Sequence, residues 1–410
     1  MRILKFEIKK MLRNKTSMVA LGFLVLLMLG LCIGYISSSR YVLEDGSKIK
    51  GIGAVSRMRE AKSQWNGPLT EEVVAAVIQE NNAIYADSAF MGDDGWLTEE
   101  GYSRQQGYYD IRKLINDTYR TSFSDYDYFT INRLSPEDAG DFYNRRTQIF
   151  DEWLGREEVC QQFSEEKRAY IREHALAVST PYDYEYADGW VKVKEMNVTL
   201  LFAAVIVVCI ILASDFAIEC QTRADAIYLS TRWGKRKGNQ MKIAAGFFLA
   251  TVIYWSIMLA GDGILLLVYG TSGGNVPIQM EFWKCLYSLT HREAWILVLL
   301  MGYVGCMIMS GLTMLMSSRF KTAFGAIILS FLMIMVPAIA QQSVMEPFWQ
   351  TLLSLFPHGA VMSYDYLTSY TLYQIGSKVY SPYLVIPLVH IPITLLTIPI
   401  TYMSFRKYKV

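Results

Sequence analysis

Six stretches of about 20 residues are almost free of charge, and no other feature constrains the fold of this chain as strongly. They cover 17–36, 196–213, 243–269, 294–317, 322–339 and 383–403. A helix rises about 1.5 Å per residue and a bilayer core is about 30 Å thick, so each run suits one membrane crossing. The third is long enough to tilt or to break near Gly261-Asp262-Gly263. The fold class predicted is an all-α polytopic membrane protein with six transmembrane helices.

Charge is distributed unevenly around these runs. Residues 38–195 carry 19 Lys/Arg and 29 Asp/Glu, and the rest of the chain carries 20 and 9, so the total of +1 is a cancellation. Short loops rich in Lys and Arg stay on the cytoplasmic side of a membrane. With six spans, one side receives Arg2, Lys5, Lys9, Lys10, Arg13 and Lys15, the loop with Arg223, Arg232, Lys235, Arg236, Lys237 and Lys242, the turn with Arg319 and Lys321, and the tail with Arg406, Lys407 and Lys409. The other side's short loops have Lys284, Arg292 and Lys378. The pattern predicts cytoplasmic termini, with 38–195 outside.

Four segments follow: an amphipathic interfacial helix (1–15), a first span (16–37), an extracytoplasmic domain (38–195), and a five-span domain (196–410) with a cytoplasmic loop at 214–242. Residues 1–15 align Leu4, Ile8, Met11 and Leu12 on one stripe, with Lys5, Lys9, Lys10 and Arg13 elsewhere, a pattern suited to the inner membrane interface. The run from Ser17 is too long for a signal-peptide core, and it reads as an uncleaved span. The large domain reads as mostly helical, with starts at Thr70-Glu71-Glu72, Ser135-Pro136-Glu137-Asp138 and Ser164. Its many tyrosines read as packing rather than as a recognition surface.

Catalytic and cofactor motifs have little to hold. Gly234-Lys235 lacks the rest of a phosphate loop, and neither His-Glu-x-x-His nor Gly-x-Ser-x-Gly occurs. Four scattered histidines and six cysteines without C-x-x-C spacing give no metal site. Asp262 stands out, because a carboxylate at bilayer depth costs about 2.5–3.5 kcal/mol on insertion scales. It could line a substrate pathway, pair with another helix, or sit hydrated among headgroups.

The loop after the second span reads Phe216-Ala217-Ile218-Glu219, then Arg223-Ala224-Asp225-Ala226-Ile227-Tyr228-Leu229-Ser230-Thr231, then Gly234-Lys235-Arg236-Lys237 and Lys242. Here the sequence resembles the permeases of type-2 ATP-binding-cassette (ABC) exporters: an aromatic and a Glu ending the second span, a short helix with an apolar ridge, a Ser/Thr turn, a basic step, and a Lys opening the third span. The six-span layout and the long domain after the first span are similar too. The frequent Gly-Thr after the Glu is replaced by Arg223-Ala224-Asp225, which leaves the register of the short helix open.

The resemblance implies an exporter subunit of a bacterial cell membrane without its own nucleotide site, paired as a homodimer or with a related permease. ATP and Mg would belong to separate ABC ATPase subunits. Membrane lipids are implied as partners and nucleic acid is not. Glu219, Arg223, Asp225, Ile227, Tyr228 and Leu229 would couple to the ATPase, with the ridge docking in its cleft and Glu219 hydrated, accepting from free helix amides or pairing with Arg223. A lipid-bound basic loop is the plainer alternative. The substrate would be amphipathic, lipid-like or a peptide. The rivals are a peptide-sensing or immunity component that signals through the same ATPase, and a membrane-bound hydrolase.

Overall fold

The computed structural model describes residues 2–221, 230–231, 234–320, 322–343 and 346–406. Six helices are long and apolar enough to cross a membrane, the architecture of a multi-pass all-α protein. They are span 1 (Lys15–Ser38), span 2 (Asp188–Gln221), span 3 (Asn239–Tyr269), span 4 (His291–Ser317), span 5 (Ala323–Ser343) and span 6 (Pro382–Arg406). Spans 2 and 4 form the centre, where Leu201 and Tyr254 press on Gly302 and leave no room for a Cβ. Spans 1, 5 and 6 lie around them and keep side chains such as Leu26, Phe324 and Leu388 exposed.

Two of the predicted spans change shape. Span 2 is one 34-residue helix, roughly 50 Å long, that runs eight residues past each predicted end. Its polar ends are helical because tertiary partners hold Asp188, Lys194, Asp215 and Glu219. Span 3 continues unbroken through Gly261-Asp262-Gly263.

The N-terminal helix (Arg2–Arg13) packs against spans 1, 2 and 3. Its stripe of Leu4, Ile8, Met11 and Leu12 packs against this bundle, with Met11 buried and the other three half-buried, while Phe6 is exposed.

Residues 39–187 fold over one end of the bundle, mainly as helices. Glu71–Ala86 starts at Thr70, and Glu165–Leu176 starts at Ser164, whose hydroxyl accepts from the Lys167 amide at 3.3 Å. Pro136–Asp141 is a 3-10 turn leading into the helix Phe142–Leu154. Among the described residues the only sheets are three two-stranded antiparallel pairs, at 40–42 with 48–50, 67–68 with 183–184, and 373–375 with 378–380. Among this domain's tyrosines, Tyr108, Tyr182, Tyr184 and Tyr186 are buried, Tyr109 and Tyr128 are half-buried, and Tyr126 is exposed.

The core of this domain is not confined to 38–195. Val276, Met280, Trp283 and Leu286 from the loop between spans 3 and 4, and Leu372 from the loop before span 6, pack among Val77, Ile115, Phe142 and Phe150. The Trp283 indole N–H donates to Thr118 Oγ1 at 3.1 Å. Gly273, with φ of 71°, lies so close to Tyr186 and Ala187 that a side chain would clash with their backbone.

Between spans 5 and 6, the short helix Pro347–Leu353 lies against span 5 with no buried residue, and Pro357–Val361 turns into the bundle with all five residues buried. Val361 reaches Gly305, fourteen residues or about 21 Å along span 4 from its start. Irregular backbone at such depth is tolerated where protein surrounds it. The His390 ring nitrogen lies 2.9 Å from the Leu355 carbonyl, and that of His358 lies 2.7 Å from Gln341 Oε1.

Candidate functional site

At the end of the bundle that carries both chain ends, apolar packing gives way to an ionic cluster. Lys242, wholly buried at the start of span 3, donates to Glu219 Oε1 at 2.5 Å and stands 3.7 Å from Asp215. Lys10 of the N-terminal helix donates to the same Glu219 oxygen at 2.7 Å and pairs with Glu7 at 3.0 Å. Asp215 and Glu219 share a face because they are four residues apart on one helix. Burial works against the Lys10 ammonium, yet the charges of Glu219 and Glu7 outweigh it and hold its pKa above the ordinary lysine value.

Uncharged contacts fix this cluster in place. The Lys242 ammonium stands 5.0 Å from the Phe216 ring centre and 5.8 Å from that of Phe405 in span 6. Ser317 of span 4 accepts from the Phe216 and Ala217 amides at 3.1 and 3.2 Å and donates to the Ala213 carbonyl at 2.8 Å. The Asn239 amide donates to the Tyr402 carbonyl at 3.0 Å. Spans 2, 3, 4 and 6 and the N-terminal helix therefore meet where the polar loop leaves and re-enters the bundle.

Asp262 sits toward the opposite end of span 3, with 1% of its surface exposed. Its Oδ2 accepts from the Trp295 indole N–H of span 4 at 2.8 Å and from the Asn197 amide of span 2 at 3.3 Å. Of the three roles open to it in the sequence, the observed contacts are those of a residue joining helices, and its burial removes it from headgroup water.

Further ion pairs join the large domain to the bundle. Lys62 bridges Asp110 at 2.8 Å and Asp188 at 2.7 Å. Lys194 pairs with Glu281 at 2.7 Å and lies 2.6 Å from the His291 ring. Burial alone would raise the Glu281 pKa, but Lys194 and His291 pull it down to about 2. A cavity of about 250 Å³ at this junction is lined by Lys62, Asp110, Asp188, Lys192, Glu281 and His291. Elsewhere, an apolar groove of about 840 Å³ runs between spans 1 and 2, past Val19, Phe23, Phe202 and Ile206, with Lys15 at one end.

Of the residues predicted to couple to an ATPase, the structure places Glu219; Arg223, Asp225, Ile227, Tyr228 and Leu229 lie outside the described residues. Glu219 is not hydrated as predicted. It is 6% exposed and engages two lysines. Glu7 and Asp215 escaped the sequence reading, although the four-residue spacing of Asp215 and Glu219 was visible. The position of Glu7 has no sequence signal, because its contacts come from folding the N-terminal helix back onto span 3. No family model, curated protein or solved structure matches the chain.

Proposed function

We propose that this chain is the permease subunit of an ATP-driven exporter of the type-2 ABC kind. It moves an amphipathic, lipid-like or peptide substrate outward, with its termini and the 214–242 loop in the cytoplasm and the large domain outside. It works beside a second copy or a related permease, above separate ATPase subunits that bind ATP and Mg. The observation that carries this reading is the shared contact of Lys10 and Lys242 with Glu219. Glu219 is near the exit of the loop and Lys242 is near its return, so both feet of the loop stand on one buried ionic footing. Movement imposed on the loop would reach spans 2 and 3 together, which is what a device coupled to an external ATPase needs. The Lys/Arg bias supports the orientation, and the apolar groove ending at Lys15 supports contact with amphiphiles.

A second reading, that the domain senses a peptide and signals through the same ATPase, draws on the unbroken helix of span 2. That helix joins the junction cavity to the ionic footing. Reconstitution with the ATPase separates the two: an exporter moves substrate across the vesicle wall, whereas a sensor changes ATP hydrolysis without net movement. For the coupling itself, Ile227→Asp or Leu229→Asp should abolish copurification with the ATPase, because a lost interface anchor commonly costs about 2 kcal/mol or more. Glu219→Gln should keep assembly and weaken the link between hydrolysis and transport. Replacing Lys235 and Arg236 with Gln should be milder, since long-range charge attraction is screened by salt. If the ridge variants bind normally and the basic pair proves decisive, the loop is a lipid-facing tether and the proposal fails.

A further inference from the structure

Asp262 presents an imbalance that the exporter reading does not use. One carboxylate oxygen, Oδ2, takes both hydrogen bonds, from Trp295 and Asn197. The other, Oδ1, is buried and has no donor among the described residues, and the same is true of the Asn197 side-chain oxygen. Two acceptors of a bonded pair of side chains, each 1% exposed, are thus left without hydrogens. Buried polar groups are seldom left so, and an ionised carboxylate here would also need a countercharge.

The surroundings supply none. Cys32 of span 1 directs its thiol to the Gly261 carbonyl and Met196, and the space beside Gly261 is filled by Met28, Met196 and Leu200. Tyr254, two turns away on span 3, spends its hydroxyl on the Leu299 carbonyl of span 4. Lys194 of span 2 and His291 of span 4, one turn closer to the domain, are engaged with Glu281. Among the described residues no cation lies within ion-pair distance of Asp262.

One hydrogen resolves the imbalance. A carboxylic acid becomes a donor through one oxygen and keeps the other as an acceptor. The Asn197 amide already donates to Oδ2, and a proton on Oδ1 donated to the Asn197 oxygen would satisfy both unpartnered acceptors in a two-bond acid–amide ring. We infer that Asp262 is a proton-binding site whose protonated side chain, paired with Asn197 and accepting from Trp295, pins spans 2, 3 and 4 together. Removing the proton leaves a charge facing an amide oxygen, so alkaline conditions loosen this contact. The inference does not depend on the exporter reading.

Infrared difference spectroscopy tests it on the full chain in lipid nanodiscs, titrated from neutral to alkaline pH. A carbonyl band of a protonated carboxylic acid should be present at neutral pH, disappear on alkalinisation and be missing from Asp262→Asn. Trp295→Phe, which removes one donor to Oδ2, should keep the band and shift it to higher frequency, so the assignment holds even if Asp262→Asn does not fold. Melting temperatures in sodium, potassium and choline chloride should agree. The proposal is overturned if neither variant alters an acid band, or if sodium or potassium stabilises the wild type but not Asp262→Asn, which would make the ligand a metal cation.

Discussion

Lys10 and Lys242 reach for the same carboxylate oxygen from very different surroundings. The Lys242 side chain has no exposed surface and faces two acids, whereas Lys10 keeps 28% of its side chain exposed. Removing one partner of a buried pair costs about 3–5 kcal/mol, and the cost falls toward about 1 kcal/mol as a partner gains access to water. Lys242→Met should therefore lower the melting temperature of the purified protein far more than Lys10→Met, and equal shifts would show that the footing is not held by burial. Glu281 permits a test in pH. Its folded pKa of about 2 lies below the ordinary 4.5, so its stabilisation is present above 4.5 and is lost as pH falls toward 2. Glu281→Gln should be less stable than the wild type at pH 7, and the gap should close as the solution is acidified below pH 5; a gap independent of pH would assign the effect to packing. Glu219 and Asp262 were legible in the sequence because a charge against an apolar run demands an explanation. Their partners were not, since Lys10, Asn197 and Trp295 lie 209, 65 and 33 residues away along the chain.

Helices whose ends are set by local chemistry were the readable ones. Thr70 and Ser164 stand where their helices begin, and the six apolar runs all became helices. The sequence was less informative where tertiary contacts decide. Asn81-Asn82 interrupts an apolar stripe, yet the helix continues because Asn81 is a hub that accepts from the buried Arg112 and Gln105 side chains, both at 3.0 Å. The short helices at 347–353 and 357–361 are too short to register as membrane elements, and the burial of 357–361 follows from packing against spans 4, 5 and 6. Two glycines test how closely the spans are fitted. At Gly302 a methyl group would run into Leu201 and the Tyr254 hydroxyl, whereas at Gly263 nothing lies within 4 Å. Gly302→Ala should cost about 1–3 kcal/mol by forcing the helices apart. Gly263→Ala should be neutral or stabilising by up to about 1 kcal/mol, because alanine is the better helix former. Thermal melts of the two variants check this, and similar values would mean that spans 2, 3 and 4 do not meet at Gly302 as described.

At the scale of the whole molecule, charge and architecture divide along the same line. The segment 38–195 is acidic, with 29 Asp/Glu against 19 Lys/Arg, and it covers the end of the bundle away from both chain ends. The basic flanks adjoin the opposite end, the arrangement that the proposed orientation requires. The chain supplies its own reporter. Cys160 is exposed within the large domain, whereas Cys32, Cys209, Cys285 and Cys306 are buried. A membrane-impermeant maleimide applied to intact cells should label the wild type at Cys160, and Cys160→Ser should remove that signal. In the Cys160→Ser background, a cysteine introduced at the exposed Asp94 should restore labelling. One introduced at Lys237, in the turn Gly234–Gly238 beside the ionic footing, should react only after the membrane is opened. Two positions at opposite ends of the bundle are needed, because a single accessible cysteine would also be found in a leaky cell. If Lys237→Cys reacts from outside while Cys160 is protected, the molecule is inverted. An ATPase in the cytoplasm would then face the large domain instead of the loop footed on Glu219, and the coupling mechanism would have no physical basis.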